Sequence, residues 1–231
     1  MTLYEAISAR RQVRSFRPGP VDETVLDQLR ACLRDTERLT GRQGQFEVVP
    51  AKAAGGSHGA PWCVFSFCEE DPAAYANAGY VLQKADLLLQ SLGLGCGWFM
   101  DLKPAQPDPR FCIGLAFGHT DEPLRTEEAQ FKRRPLSDIC REENDVSRAV
   151  RLAPSSLNSQ PWMVEFEDRK VVLREKGRGP ARLILRGKLN KIDLGIAARH
   201  AALALEHQGK RVVEALPKAE NGKLEITIRY E

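Results

Sequence analysis

Several things are scarce in this sequence, and each scarcity closes off a class of protein. Its six cysteines, Cys32, Cys63, Cys68, Cys96, Cys112 and Cys140, include no Cys-x-x-Cys pair. Spread through apolar runs, they read as buried, reduced thiols rather than disulfide staples or zinc ligands. Histidine numbers four, and His200 and His207 lie seven apart in a helical pattern, a spacing that suits packing better than ligation. No metal site is expected. No apolar run reaches the roughly 18 residues of a membrane span, and the start, MTLYEAISARRQ, lacks the apolar centre of a signal peptide. A cytoplasmic protein without a membrane partner is the expectation. Aromatics make up only 7% of the chain and the net charge is +3, so neither a stacking platform nor a strong basic field points to nucleic acid.

What remains is a chain of 231 residues, 42% hydrophobic and 28% charged, which is long enough to bury a core of its own. Thr2 precedes a helical pattern that runs into arginines, and Pro18 and Pro20 force the next segment to be extended. A second helix follows on Val25, Leu26, Leu29 and Leu33. FEVVP, WCVFSF, CGWFMDL and FCIGLAFG read as strands, with a long apolar helix, ANAGYVLQKADLLLQSLGLG, among them. After the polar connector HTDEPLRTEEAQFKRRPLSDIC the pattern restarts: a helix over ENDVSRAVRLA, a loop, a hairpin over PWMVEFEDRKVVLRE, a long helix and a final strand, KLEITIRYE.

The restart has a fixed offset. Shifted by 116 positions, Asn77 falls on Asp193, Gly79 on Gly195, Ala85 on Ala201, Leu87 on Leu203, Leu89 on Leu205 and Gly93 on Gly209. Phe46 falls on Trp162 and Val48 on Val164 at the same offset, so a strand joins the helix in the match. This predicts two related halves, 1–140 and 141–231, packed together as one domain. The halves differ in their polar signals. Arg10-Arg11-Gln12-x-Arg14 stands only in the first, and Pro154-Ser155-Ser156-Leu157-Asn158 only in the second.

Guanidinium forks suit phosphate or carboxylate, though a lone RRxxR also reads as a solvated basic turn. Adjacent hydroxyls and an amide suit a polyol or phosphate ester, and they equally serve turn chemistry. Lys132, Arg133 and Arg134 add a third basic cluster, which alone would be an ordinary loop. The glycines of LGLGCG follow a helix and lead into a strand, the reverse of a dinucleotide-binding loop, so they read as a helix stop.

EAISARRQVRSFRPGPV and, above all, VRLAPSSLNSQPW resemble segments of the FMN-dependent nitroreductase family, as do NAGYVLQKADLLLQSLGLGCGW and IGLAFGHTDEPLRTEEAQFKRRPLSD. The resemblance covers most of the chain. It implies an α+β nitroreductase-like fold, with a mixed central sheet flanked by helices. In that family FMN lies between two subunits, so the resemblance implies a dimer fused into one chain, with a monomer sufficient for the site. It further implies Arg10, Arg11, Gln12 and Arg14 at the cofactor, with Arg10 at the phosphate and Arg14 nearer the ring. Pro154, Ser155, Ser156 and Asn158 would line the ribityl-phosphate side, Lys132, Arg133 and Arg134 would close on the phosphate, and Met100 and Asp101 would lie on the strand that faces the flavin. NAD(P)H would be the donor, and a nitroaromatic, quinone or similar small molecule the acceptor. No residue stands out as a catalytic acid or base. The competing expectation is a flavin-binding carrier or sensor without robust turnover.

Overall fold

Helix α1 (Leu3–Ala9) starts where its ends can be satisfied. The Thr2 hydroxyl accepts from Glu5 N while the Glu5 carboxylate takes the Thr2 N–H, so two orphan donors are paired reciprocally. The chain then runs extended. Val13 N donates to Cys96 O at 3.1 Å and Arg17 forms a bridge with His119. Helix α2 (Glu23–Asp35), capped by Asp22, buries Leu26, Leu29 and Leu33 at helical spacing. Helix α3 (Pro72–Ser91) takes its cap from Asp71 and carries proline at its first position, where the missing N–H costs nothing. Helix α4 (Asp145–Leu152) repeats the reciprocal cap with Asn144 and Ser147. Helix α5 (Leu189–His207) is buried along almost its whole length. The structure is a computed structural model and describes residues 1–176 and 187–231.

The strands are β1 (Gln45–Pro50), β2 (Ala54–Gly55), β3 (Trp62–Phe67), β4 (Gly95–Trp98), β5 (Lys103–Pro104), β6 (Phe111–Gly118), β7 (Trp162–Glu167), β8 (Lys170–Glu175), β9 (Val212–Glu220) and β10 (Lys223–Tyr230). They form two four-stranded sheets, β1-β3-β6-β4 and β7-β8-β10-β9, and a small β2-β5 pair. Every pairing of these strands is antiparallel. Each large sheet has the order first, second, fourth, third, and its long helix lies between the second strand and the third. The α+β class and nitroreductase-like architecture hold, with the strands divided between two antiparallel sheets rather than gathered into one mixed sheet.

Helices α3 and α5 pack against each other at the centre. A Cβ on Gly79 would overlap the backbone oxygen of Ile192, and a Cβ on Gly195 would overlap that of Ala76. Only glycine permits so close an approach. The helices stop alike: Gly93 N donates to Gln90 O and Leu94 N to Leu89 O, while Gly209 N donates to Glu206 O and Lys210 N to Leu205 O. Gly93 and Gly209 are both left-handed, with φ of +83° and +75°. One hydrophobic cluster draws Ala6, Leu39 and Ala76 together with Trp162, Ile192 and Ile226.

Two elements differ from expectation. Strand β4 ends at Trp98, and Phe99–Asp101 turns away instead of continuing the strand. Strand β9 is an edge strand with Pro217 in it. Its mixed charges and proline hide the alternation that marks a strand, and an edge tolerates the missing N–H. Among the described residues no helix is long and apolar enough to cross a membrane.

Candidate functional site

The loop between α4 and β7 is held from below by Asp193 on α5. Ser156 N approaches both Asp193 carboxylate oxygens at 3.1 Å, and the Ser156 hydroxyl lies 3.3 Å from one of them. Asp193 is buried, and burial lifts its pKa to about 8 against the pull of the Ser156 hydrogen bonds. Leu157, Asn158 and Gln160 all have φ near +50°, a conformation that costs roughly 1–2 kcal/mol for each non-glycine residue. The loop holds that strain through its own bonds: Asn158 N donates to Ser155 O, and Gln160 N donates to the Ser155 hydroxyl. Pro154 leads into it, half-buried.

The basic segment meets this loop directly. The Arg133 guanidinium donates to Asn158 Oδ1 at 2.5 Å and to Leu152 O at 3.1 Å. Asn158 Nδ2 donates to Lys132 O, and Arg134 N donates to Gln160 Oε1. Lys132 itself is exposed and left-handed. Arg125 joins from the other side: its guanidinium donates to Arg10 O and stacks 4.3 Å from the Phe131 ring, on which Arg133 also lies at 5.6 Å. Contacts therefore run unbroken from Arg10 through Arg125, Phe131 and Arg133 to Asn158.

This cluster is rich in unmatched positive charge. Among the described residues Arg125, Lys132, Arg133 and Arg134 make no ion pair with a carboxylate, and the buried Nε atoms of Arg133 and Arg134 have no hydrogen-bond partner. Burial, then Arg10, Arg125 and Arg151, push the Arg133 pKa down to about 9. Burial, then Arg10 and Arg11, push Arg125 down to about 10. Both stay cationic at neutral pH, and both are in surroundings that an anion would stabilise. His200 is buried, and burial pushes its pKa down to about 3; its Nδ1 bonds to Ala149 O at 2.8 Å and its Nε2 has no partner among the described residues.

The N-terminal arginines are tied differently. Arg10 is 1% exposed and pairs with Asp86 on α3 at 2.9 Å. Asp86 also receives Gln83, Gln90 and the Trp98 indole. Arg11 donates to Pro123 O and lies 3.5 Å from Glu122. Gln12 closes on the Trp98 backbone from both sides, donating to its O at 2.8 Å and accepting from its N at 3.0 Å. Arg14 is exposed, with its N held by Glu122. Met100 and Asp101 lie apart from these bonds: Met100 is exposed, and Asp101 binds His58 at 2.9 Å, which stacks on Phe99.

The structure thus joins Lys132, Arg133, Arg134, Ser155, Ser156 and Asn158 in one bonded cluster and brings Arg10 to its edge. Gln12, Arg14 and Asp101 are bonded elsewhere, and Met100 is exposed. A cavity of about 200 Å³ beside the arginine segment is lined by Val13, Gln90, Glu122 and neighbours. It is smaller than the roughly 300 Å³ typical of ligand sites, and Glu122 makes it a poor place for an anion. Sequence reasoning missed Arg125, Gln160 and Asp193. Gln160 stood inside the recognised motif, and Asp193 stood in the repeat opposite Asn77; Arg125 sits in a mixed-charge stretch with no signal of its own.

No curated protein matches this chain. Its structure is similar to that of a nitroreductase of Thermotoga maritima MSB8, described as "putative", with a TM-score of 0.73 and 20% identity over 99% of this chain and 94% of that one. A Desulfovibrio desulfuricans protein solved with FMN, also described as a "putative nitroreductase", gives a TM-score of 0.47 and 18% identity over 62% of this chain and 96% of that one. The family model described as "Putative TM nitroreductase" matches residues 2–205. The chain belongs to that nitroreductase family.

Proposed function

We propose that the chain is an FMN-binding oxidoreductase in which the Arg125–Arg133–Asn158 cluster grips the phosphate end of the flavin. The observation that carries this reading is the set of half-buried guanidiniums that have no acid partner among the described residues, Arg133 being bonded to the loop that bears PSSLNSQPW. A phosphate monoester fits that set: two charges, and oxygens for Arg125, Arg133 and Arg134, with Lys132 at the rim. Ser155 and Ser156 would serve the ribityl hydroxyls, Ser156 being aimed by Asp193. Arg10 orients Arg125 through its carbonyl. When bound, FMN would supply two-electron chemistry between NAD(P)H and a nitroaromatic, quinone or similar acceptor. The donor and acceptor are part of the proposal, as is a single chain sufficing for the site.

We further propose that the chain arose by duplication, with halves 1–140 and 141–231 standing as the two subunits of an ancestral dimer. The repeated strand order and the reciprocal crossing support it: Gly79 meets Ile192 and Gly195 meets Ala76, pairs related by the same offset of 116. Turn geometry repeats too. Arg42 N donates to Leu39 O as Asn158 N donates to Ser155 O, both at 2.9 Å.

One observation favours the carrier reading. Gln12 is bonded to Trp98, Asp101 is bonded to His58 and Met100 is exposed, so the ring end is less furnished than the phosphate end. The test is an absorption spectrum of the purified protein. A flavin spectrum near one FMN per chain, bleached by NAD(P)H and restored by a quinone, is expected. A bound flavin that NAD(P)H does not reduce selects the carrier. Arg125→Ala with Arg133→Ala should lower affinity at least about a hundred-fold, at roughly 1.5–3 kcal/mol per charged hydrogen bond; undiminished flavin binding in that variant rejects the site.

A further inference from the structure

We propose that Cys68 and Cys112 form a redox-active dithiol, which a hydroperoxide converts into an intramolecular disulfide. Neither residue takes part in the flavin reading, and the placement comes from sheet register. Phe67 pairs with Phe111, but Ser66 pairs with Ile113, so Cys112 is the extra residue of a bulge. Cys68 N donates to Arg110 O at 2.9 Å on the far side of the Phe67–Phe111 rung. The two phenyl rings lie on one face, 6.1 Å apart and packed with Phe65 and Leu102. Cys68 and Cys112 lie on the other, in the cluster that contains Tyr75. They flank the Phe67–Phe111 rung on that face, and each thiol is the largest influence on the other's proton affinity. A bulged residue is not locked in the strand ladder, so it can move the short distance to a bond of about 2.05 Å.

The two sulfurs are unequal. The Cys112 thiol lowers the pKa of Cys68, against burial, and Lys188 assists while Asp71 and Glu69 oppose. The Lys188 ammonium is fixed there by Phe111 O at 3.0 Å and by the Tyr75 ring at 5.3 Å. Cys112, 5% exposed, is pushed far up by Cys68 and by burial. Cys32, Cys63, Cys96 and Cys140 are all raised, chiefly by burial. Cys68 is thus the nucleophile, and it is partly open to solvent. Its thiolate attacks the peroxide: an S–O bond forms, the O–O bond breaks, and the alcohol (water, from hydrogen peroxide) leaves with a proton. Cys112 sulfur then attacks Cys68 sulfur, forming S–S and breaking S–O, and water leaves with the second thiol's proton. Two thiols lose two electrons and two protons, and the peroxide is reduced by the same two electrons.

Reduced full-length protein treated with equimolar hydrogen peroxide, quenched by alkylation and weighed intact, tests this. The oxidised protein should carry four alkyl groups where the reduced protein carries six, with one cross-linked peptide pair holding Cys68 and Cys112, and a dithiol reagent should reverse it. Cys112→Ser should stop at a Cys68 sulfenic acid, one oxygen heavier and trapped by a dione probe. Lys188→Met should slow Cys68 oxidation, because the ammonium that favours the thiolate is gone. Six alkylated thiols after peroxide, a bridge between any other pair, or a first oxidation at another cysteine would overturn the proposal.

Discussion

Arg10 and Arg133 carry the same side chain toward different ends. Arg10 neutralises Asp86 in the core, so its loss strands a buried carboxylate. Arg10→Ala should therefore cost about 3–5 kcal/mol of folding stability in a urea titration. Arg133→Ala, which removes a charge with no acid partner among the described residues, should leave stability far less changed while flavin content falls. Asp193 offers a pH test. Its ordinary pKa of about 3.9 rises to about 8 in the fold, so between those values the unfolded chain releases a proton that the folded chain keeps. The stability this group contributes is complete below about pH 4 and is lost as pH rises to 8. Asn77, at the matching position, accepts from Leu39 N at 2.9 Å without any charge. Asp193→Asn should accordingly be more stable than wild type at pH 8 by roughly 1–3 kcal/mol, and the gap should narrow at pH 5. A gap independent of pH would show that the carboxyl is not the source.

At the scale of elements, the helices were the most legible part of the sequence, because caps and stops are local: Thr2, Asp22, Asn144, Gly93 and Gly209 each act within a turn. The serine loop was legible as a motif, but its bonds to Arg133 and Arg134 were not, since those partners lie 25 and 26 residues away. Arg10 read as a cofactor ligand, and nothing nearby in sequence marked its pairing with Asp86, 76 positions on. Strand β9 was hidden by Pro217, and β4 ended early because Phe99 turns to stack on His58. The α3–α5 crossing gives the sharpest test. Gly79→Ala and Gly195→Ala each force a methyl into facing backbone, so each should cost about 1–3 kcal/mol or more by thermal melts. Gly93→Ala meets no atom nearby, so its cost should come only from the left-handed backbone, about 1–2 kcal/mol.

For the whole molecule, the offset of 116 relates the contact of Gly79 with Ile192 to that of Gly195 with Ala76, a reciprocity that the sequence alignment by itself did not state. It could not foretell that strands would part into two sheets, since strand pairing is a non-local choice. The core cluster runs from Ala6 to Ile228 through both long helices, so neither 1–140 nor 141–231 should fold when produced alone. The intact chain should unfold in one transition, with tryptophan fluorescence and far-ultraviolet dichroism coinciding; two separated transitions would show independent halves. At Gly79 and Gly195, where α3 meets α5, main chain rests on main chain. Neither glycine has a side chain to trim, so the gap at those two points is ruled by atoms common to every amino acid. Drift across the rest of the surface can leave that spacing untouched for as long as two hydrogen atoms stay where a methyl would not fit.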